Sequence, residues 1–275
     1  MTILQAIILG VVQGLTEFLP VSSSGHLVLV QNEFLSLTES PTLLAFDVLL
    51  HLATVVAVAG YFARDIRAMF VSFVAPGRLQ AGEVKGWRRL TLWLIVGTVP
   101  AGLAGVLLED FFISLFDSTA AVGAFLLLTA GLLTAADFLA DRAVAPRREV
   151  GDMGLVDVLI VGLFQALAIA PGLSRSGSTI SGGVYLGLSR EAAARFSFLL
   201  SVPVILGAGL MSLGDLAAGF QGGDAPAYVA GALAGLVSGV LAVHCLLRYL
   251  RKHRLRAFAV YTFAVGCVVL LLAAF

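Results

Sequence analysis

The stretch that decides the fold is Gln13-Gly14-Leu15-Thr16-Glu17-Phe18-Leu19-Pro20-Val21-Ser22-Ser23-Ser24-Gly25-His26. It is polar, ionisable and helix-breaking, yet it lies inside a nearly continuous apolar sequence. A carboxylate such as Glu17 costs on the order of 2.5–3.5 kcal/mol at the centre of a bilayer. Pro20 and the run of Ser and Gly also interrupt the backbone hydrogen bonds that a spanning helix needs. This stretch therefore predicts a functional site at membrane depth.

The composition indicates a polytopic membrane protein. Of the 275 residues, 59% are hydrophobic and 12% are charged. The 17 basic and 17 acidic side chains are too few to cover a soluble protein of this length. Cys245 and Cys267 lie in apolar runs and imply neither a disulfide nor a metal framework. The bilayer is thus the expected environment, and nothing here points to a nucleic-acid partner.

The apolar runs predict the number of membrane spans. Six runs are long enough to cross a hydrocarbon core of about 30 Å, and they lie at roughly 44–63, 90–108, 119–140, 196–214, 226–247 and 257–275. Two further apolar segments, 2–35 and 154–190, are interrupted by Pro, Ser and Gly. Such interruptions are typical of re-entrant helical hairpins. The predicted fold is all-α, with six transmembrane helices and two re-entrant hairpins.

The distribution of positive charge predicts the orientation. Sixteen of the seventeen Lys and Arg residues lie at 64–89, 142–148, 190–195 and 248–256. The intervening loops, around 36–43, 109–118 and 215–225, contain none. Because basic loops stay in the cytoplasm, both termini are expected outside. The first broken segment then enters from outside and the second from the cytoplasm. Arg190 and Arg195 flank the end of the second segment, and the one remaining cation, Arg175, lies inside it.

An internal repeat relates the two broken segments. Residues 10–26 and 162–178 share six identities in seventeen positions, and each copy precedes three apolar runs. The chain therefore divides into a first repeat, 1–150, and a second, 151–275, within one membrane domain. A hairpin plus three crossings is an odd number, so the second copy inserts upside down. In such folds the broken hairpins meet near the midplane, where half-helix N-termini favour an anionic ligand.

Three polar side chains of the first segment are candidates for chemistry. N-capping accounts for one serine but not for three serines and a histidine. His26 follows Ser23 by three residues, on one helical face, as a base or nucleophile beside a hydroxyl would; the alternative is a satisfied interior histidine. Three roles are open for Glu17: counter-ion of Arg175, ligand for a divalent cation, or acid–base group. The counter-ion role and a functional role can both hold at different steps.

The second segment reads Pro171-Gly172-Leu173-Ser174-Arg175-Ser176-Gly177-Ser178-Thr179. An arginine among hydroxyls and glycines at a helix start indicates phosphate binding, because the guanidinium fork matches phosphate oxygens. Elsewhere, Asp47 and His51 lie four residues apart near the outer end of a span. They are expected to form a structural pair.

These two segments resemble the signature segments of the bacterial undecaprenyl-pyrophosphate phosphatases, the bacitracin-resistance protein family. The resemblance extends over essentially the whole chain and includes Phe46-Asp47 and 196–203. It implies an enzyme of the bacterial plasma (inner) membrane. That enzyme would convert a polyprenyl pyrophosphate lipid to the monophosphate and so recycle the carrier for cell-wall synthesis.

The resemblance also implies roles for individual residues. Glu17 is similar to the family's essential glutamate, Ser23 and His26 to its hydroxyl and imidazole pair, and Arg175 to its phosphate-binding arginine. Eight further positions of the two segments are expected to bind substrate: Gln13, Ser22, Ser24, Gly25, Ser174, Ser176, Gly177 and Thr179. A divalent cation, Mg²⁺ or Ca²⁺, is implied, with Glu17 as a ligand and Gln13 or Asp47 as further candidates. Some members carry a second glutamate where this chain has Gln13.

The sequence leaves three mechanisms and two functions open. Ser23 attacks phosphorus with His26 as base, His26 attacks directly, or His26 activates water. The rival function is a lipid-phosphate transporter or flippase, because inverted repeats with broken helices are also transporter architecture. The site is expected to open to the periplasm or cell exterior. Gly231, Gly235 and Gly239 fit either a homodimer contact or packing within one subunit.

Overall fold

The computed structural model describes residues 1–37, 40–116, 118–142, 147–219 and 224–274. These ranges form helices and contain no β-strand. The α-helices, in chain order, are α1 (Ile3–Phe18), α2 (Ser23–Leu29), α3 (Pro41–Tyr61), α4 (Ala63–Val74), α5 (Ala81–Leu107), α6 (Glu109–Phe116), α7 (Thr119–Arg142), α8 (Leu155–Leu167), α9 (Arg175–Tyr185), α10 (Arg190–Met211), α11 (Leu213–Gly219), α12 (Ala225–Leu250) and α13 (Arg256–Ala274).

Six of these helices confirm the predicted spans. By length and composition α3, α5, α7, α10, α12 and α13 can each cross a membrane. α5 and α10 extend beyond the predicted apolar runs, which begin at 90 and 196, because both helices begin with polar turns that hydropathy misses. At the start of α5 the backbone N–H of Gln80 donates to Glu83 Oε2 at 2.9 Å. At the start of α10 the Ser189 hydroxyl accepts from the backbone N–H of Ala192 at 3.1 Å.

The predicted basic loop at 64–89 is in fact largely helical. It contains α4 and the first turns of α5. The Arg88 guanidinium of α5 donates to the carbonyl of Ser72 in α4 at 2.8 Å, which holds the two helices together. Phe70 and Phe73 of α4 remain exposed, as suits an amphipathic helix at a membrane surface. Parts of the other predicted loops, at 38–39, 117, 143–146 and 220–223, and the last residue of the predicted final span lie outside the described residues.

Both broken segments have the predicted helix–break–helix form. α1 is separated from α2 at 19–22, where Ser22 has a φ of 72°. α8 is separated from α9 at 168–174, where Gly172 has a φ of 87°. A Cβ at Gly172 would overlap the carbonyl oxygen of Val122, so that only glycine fits this turn. Whether the segments are re-entrant in a bilayer stays a prediction.

The second broken segment starts and finishes at one place in the fold. Arg148 donates its backbone N–H to the carbonyl of Gly187 at 3.0 Å, and the Arg148 carbonyl accepts from Ser189 N–H at 3.0 Å. The Arg148 side chain also donates to the carbonyl of Leu186 at 2.9 Å and to Asp157 Oδ2 at 2.6 Å. The hydrogen bond with Asp157 raises the pKa of the Arg148 guanidinium. α8 and α9 therefore form a closed hairpin.

Ion pairs collect the basic segments at one end of the helix bundle. They join the ends of α4, α7, α10, α12 and α13 through Arg195–Asp65, Arg190–Asp137, Arg254–Asp141 and Arg251–Glu191, with N–O distances of 2.7, 2.7, 3.1 and 2.8 Å. The basic segments thus share one end, as the charge pattern predicts. The side of the membrane that this end faces stays a prediction.

The first helix of each broken segment packs against the other half of the chain. α1 lies along α12, and α8 lies along α5. At the closest approach a Cβ on Gly10 would overlap the carbonyl oxygen of Gly231. At the equivalent position of the repeat, a Cβ on Gly162 would lie 2.7 Å from the carbonyl oxygen of Gly97. Glycines at equivalent positions of the predicted repeat therefore make similar close helix crossings.

The glycine row of α12 is used within the chain. Gly231 lies against the ring of Phe46, and Gly235 lies near the backbone of Gly10. A Cβ on Gly239 would lie 3.1 Å from Ala57 Cβ. Of the two roles considered for this row, packing within one subunit is the one that the structure contains.

We expect Gly10→Ala to lower stability, because the added methyl group meets backbone rather than a movable side chain. Overpacking of this kind costs about 1–3 kcal/mol. Gly131→Ala in α7 is the matched control, since a Cβ there meets nothing within 4 Å. Thermal unfolding in detergent should show a lower midpoint for Gly10→Ala and an unchanged or higher midpoint for Gly131→Ala. Equal midpoints would contradict the close crossing of α1 and α12.

Candidate active site

A cavity of about 580 Å³ lies between α3, α5, α10 and the two breaks. Its walls are mostly apolar, with lining residues such as Val48, Leu52, Val106, Ile169 and Ile205. The polar groups that line it include Glu17, Ser22, Ser23, Ser24, His51, Gln165 and Arg175. The cavity thus offers both an apolar surface and a cluster of charged and hydroxyl groups.

Glu17 is the centre of the polar cluster, and its side chain is only 5% exposed. Its Oε1 accepts a hydrogen bond from the Arg175 guanidinium at 2.7 Å. Its Oε2 accepts from the Ser23 hydroxyl at 2.7 Å and from the Gln13 side-chain amide at 3.0 Å. The predicted counter-ion relation between Glu17 and Arg175 is confirmed. A buried charge is tolerated here because it is paired and hydrogen-bonded.

The break after α1 brings Ser23 to Glu17. Gln13 and Glu17 lie one turn apart on α1, so that both side chains share a face. The chain reverses at 19–22 through the left-handed Ser22, and α2 begins at Ser23. Ser22 is the N-cap residue of α2, but its side chain makes no capping hydrogen bond, so N-capping does not account for this serine. The strained turn instead directs the Ser23 hydroxyl back to the carboxylate.

The second break delivers Arg175 and joins the first. Arg175 is the first residue of α9, and its guanidinium also donates to the carbonyl of Ser197 at 3.4 Å. The next residue, Ser176, donates its hydroxyl to the carbonyl of Leu19 at 2.9 Å. The two breaks therefore contact each other directly, as the repeat predicts.

Equivalent polar residues of the repeat make equivalent bonds. Ser22 and Ser24 pair through their hydroxyls at 3.3 Å, and Ser174 and Ser176 pair at 3.2 Å. The two pairs differ in exposure to the cavity, since only the first lines it. The two breaks thus have similar hydrogen bonds, but only the serines of the first break are available to a ligand in the cavity.

Several residues predicted to bind substrate do not line the cavity. The Ser174 hydroxyl caps α9 by accepting from Gly177 N–H at 3.0 Å. Thr179 is buried, with its hydroxyl 2.6 Å from that of Ser197. Gly25 is also buried and away from the cavity. In the described structure these residues, with Ser176, shape and join the breaks.

Gln13 and Gln165 occupy equivalent positions of the repeat and share an unusual property. Both side chains are buried, and the carbonyl oxygen of each lacks a hydrogen-bond partner among the described residues. The amide of Gln13 donates to Glu17, which fits an orienting role. Gln165 lines the cavity and was not among the predicted site residues. Its match to Gln13 in the repeat was the signal for it.

The structure does not bring His26 to Ser23 and Glu17. Its Nδ1 lies 2.7 Å from the carbonyl of Ser22, and its Nε2 lies 2.7 Å from the Tyr261 hydroxyl. The ring also stacks on Tyr261 and does not line the cavity. The predicted contact of His26 with Ser23 is absent from this arrangement because both ring nitrogens have other partners.

His51, and not His26, is the histidine that lies near Glu17. Its Nε2 lies 3.8 Å from Glu17 Oε2, and the side chain lines the cavity. The predicted pairing of His51 with Asp47 is limited to a backbone contact, with Nδ1 2.8 Å from the Asp47 carbonyl oxygen. The Asp47 carboxylate accepts instead from the Gln31 amide at 2.8 and 3.1 Å. Sequence reasoning missed His51 as a site residue.

The side chains do not fit a resident divalent cation. No group of three His, Cys, Asp or Glu residues in the described part of the chain could hold one. Both oxygens of Glu17 already accept hydrogen bonds, one of them from a guanidinium. Asp47 does not line the cavity, and its carboxylate is held by Gln31. The predicted ligand set of Glu17, Gln13 and Asp47 is therefore not assembled.

The fold and the site define a class of protein. The described residues include six membrane-length helices, and three of these helices line a cavity in which a serine hydroxyl and a guanidinium meet on one buried carboxylate. This chemistry suits a membrane protein that handles an anionic amphiphile.

The chain belongs to the family described as Bacitracin resistance protein BacA, whose sequence profile it matches over residues 6–268. It is 44% identical over 266 residues to the undecaprenyl-diphosphatase of Syntrophotalea carbinolica, with 97% of each chain covered. It is 45% identical over 269 residues to that of Rubrobacter xylanophilus, again with 97% of each chain covered. Identity to the undecaprenyl-diphosphatase of Methanobrevibacter smithii is 43% over 276 residues, covering 98% of this chain and 97% of the relative.

We expect Arg175→Met to destabilise the protein by about 3–5 kcal/mol, because it leaves the Glu17 carboxylate buried and unpaired. Adding Glu17→Gln should recover part of that loss by removing the unpaired charge. Arg251→Met is the control, since Arg251 is 64% exposed in its pair with Glu191 and should cost no more than about 1 kcal/mol. Thermal unfolding of the four proteins tests this, and equal losses for both arginine variants would contradict it.

Proposed function

We propose that this protein is an integral membrane phosphatase that converts undecaprenyl pyrophosphate to undecaprenyl phosphate and inorganic phosphate. The observation that carries the proposal is the pair of contacts on Glu17, with the Ser23 hydroxyl on one oxygen and the Arg175 guanidinium on the other. A nucleophile, a proton acceptor and a phosphate-binding cation thereby share one site. The names of the relatives support the same activity.

The two kinds of cavity surface match the two parts of such a lipid. The polyprenyl tail is apolar and can lie against the walls formed by α3, α5 and α10. The pyrophosphate carries the charge that the Arg175 guanidinium binds, and it can replace Glu17 as partner of that cation. This exchange releases the Glu17 carboxylate to act on Ser23.

The reaction proceeds by displacement at the terminal phosphorus. Ser23 Oγ forms a bond to that phosphorus while its proton moves to Glu17 Oε2. The bond from phosphorus to the bridging oxygen breaks, and the lipid monophosphate leaves with the electron pair. Water then attacks the phosphorus of the phosphoserine, and the bond from phosphorus to Ser23 Oγ breaks. The proton held by Glu17 returns to Oγ, and the oxygen and protons of the water leave with the inorganic phosphate. Arg175 stabilises the charge on the transferred group throughout.

A divalent cation remains part of the proposal only in company with the substrate. The protein ligands for a resident cation are not assembled, whereas Mg²⁺ commonly binds to substrate phosphates. We propose that a Mg²⁺ or Ca²⁺ ion, where required, would be held by the pyrophosphate oxygens and would neutralise part of their charge. The protein's own residues perform the steps given above.

This activity recycles the lipid carrier for peptidoglycan synthesis, and it explains resistance to bacitracin, which the family description names. The setting is the bacterial plasma membrane, with the cavity open to the periplasm or cell exterior. The cluster of ion pairs at the opposite, basic end supports this orientation by the positive-inside rule.

Phosphate release from purified protein and undecaprenyl pyrophosphate tests the proposed activity. Ser23→Ala should lower kcat by at least about 10³-fold, the scale for loss of a catalytic nucleophile. Ser114→Ala is the matched control, because Ser114 is exposed and its hydroxyl bonds only to a carbonyl of its own helix. A trapped acid-stable phosphoserine would support attack by Ser23, an acid-labile phosphohistidine would assign attack to His26, and no covalent species would leave attack by water.

The same assay separates the enzyme from its rival. The direct contact of the two breaks, through Ser176 and Leu19, is also what a lipid-phosphate transporter would need. Wild-type protein that releases no more phosphate than Ser23→Ala, yet moves the lipid between leaflets of vesicles, would establish the transporter and refute the phosphatase.

We expect a cysteine placed at Ser24, which lines the cavity, to react with a membrane-impermeant maleimide from outside intact cells. Cys245 and Cys267 are first replaced by alanine. Arg251→Cys at the basic end is the control and should react only after the membrane is opened. Labelling with the sides exchanged would reverse the proposed orientation.

A further inference from the structure

The hydrogen bond made by His51 Nδ1 determines the tautomer of the neutral ring, and so which ring nitrogen can accept a proton. Nδ1 lies 2.8 Å from the backbone carbonyl of Asp47. A carbonyl oxygen can only accept, so Nδ1 carries the proton of the neutral ring. In the neutral ring Nε2 therefore carries the lone pair, and it is this atom that lies 3.8 Å from Glu17 Oε2. His51 is oriented as a proton acceptor.

The place of His51 suits transfer of the serine proton. Its Nε2 is 3.8 Å from the same Glu17 oxygen that accepts the Ser23 hydroxyl at 2.7 Å. The His51 side chain is 36% exposed and lines the cavity, so that it can reach both Glu17 and a bound ligand. His26 lacks this access because its nitrogens contact Ser22 and Tyr261.

The charged groups around His51 favour this direction of transfer. Glu17 faces it from α1, Arg175 approaches the same carboxylate from α9, and Asp47 lies one turn away on α3 itself. The Asp47 carboxylate is occupied by Gln31. The cavity-lining residues of α5 and α10 carry no charge. A proton left on Glu17 would keep that carboxyl group neutral when Arg175 returns to it after the reaction, whereas a proton on His51 leaves it charged.

We propose that His51 is the residue that carries the proton in both steps of the reaction, an inference that rests on the proposed phosphatase function. In the first step the Ser23 proton passes through Glu17 Oε2 to His51 Nε2 as the bond from Ser23 to phosphorus forms. His51 then gives this proton to the departing oxygen of the lipid monophosphate. In the second step His51 accepts a proton from the attacking water, and it returns through Glu17 to Ser23 Oγ as the phosphoserine bond breaks.

The test compares His51→Ala and His51→Asn with wild type in the phosphate-release assay. Asparagine can still donate to the Asp47 carbonyl but cannot carry the proton, so it separates chemistry from folding. We expect kcat to fall by about 10²-fold or more in both variants, the usual scale for general acid–base catalysis, with KM changed less than about threefold. Added imidazole should restore about tenfold of kcat in His51→Ala only, because only alanine leaves room for it. His244→Ala, at an exposed position in α12, is the matched control.

Each outcome bears on one of the two proposals. Wild type without phosphate release refutes the phosphatase and this inference with it. An active wild type with His51→Ala and His51→Asn within about threefold of it overturns only the inference. A loss confined to KM, a loss of kcat that imidazole does not rescue, or imidazole rescue of His26→Ala in place of His51→Ala also overturns it. The last result would assign the proton to His26.

Discussion

The ion pair between Glu17 and Arg175 is the interaction on which the rest of the structure depends. The two residues are 158 positions apart, and their side chains meet at 2.7 Å in the interior of the helix bundle. Neither charge could stay there alone, because an unpaired buried charge costs several kcal/mol. The pair requires both helix breaks at the same depth, and the breaks require the close helix crossings that hold them. Stability and chemistry are thus linked through one carboxylate.

That carboxylate organises the site by asymmetry. One oxygen faces the cation and the other faces donors that can give up or orient a proton, Ser23 and Gln13. A ligand that competes for Arg175 therefore changes what the other oxygen can do. Binding of an anion and activation of the hydroxyl become one event. The apolar walls reinforce this coupling, since they keep water away and strengthen charge interactions.

Much of this arrangement was predictable because membrane burial imposes large costs. The spans, the two breaks and the pairing of Glu17 with Arg175 all follow from the price of placing polar groups in lipid. The roles of the histidines did not follow, because tertiary packing decides which faces of α2 and α3 are turned toward Glu17. Each ring also contacts a backbone carbonyl oxygen, that of Ser22 for His26 and that of Asp47 for His51, and the pattern of side chains in a sequence does not predict such contacts. Hydropathy did not predict the early start of α5, because the first turns of this helix are polar.

The crossing of Gly10 with Gly231, and of Gly162 with Gly97, has a consequence for the order of assembly. A ribosome makes α1 long before α12, so the glycine face of α1 has no partner until more than 200 residues later in the sequence. Glu17 likewise waits for Arg175. The first half of the chain cannot reach its final packing during its own synthesis, and the site closes only when the second half has inserted. During biogenesis the first half of the chain must therefore stay in the membrane without its final packing until the second half has inserted.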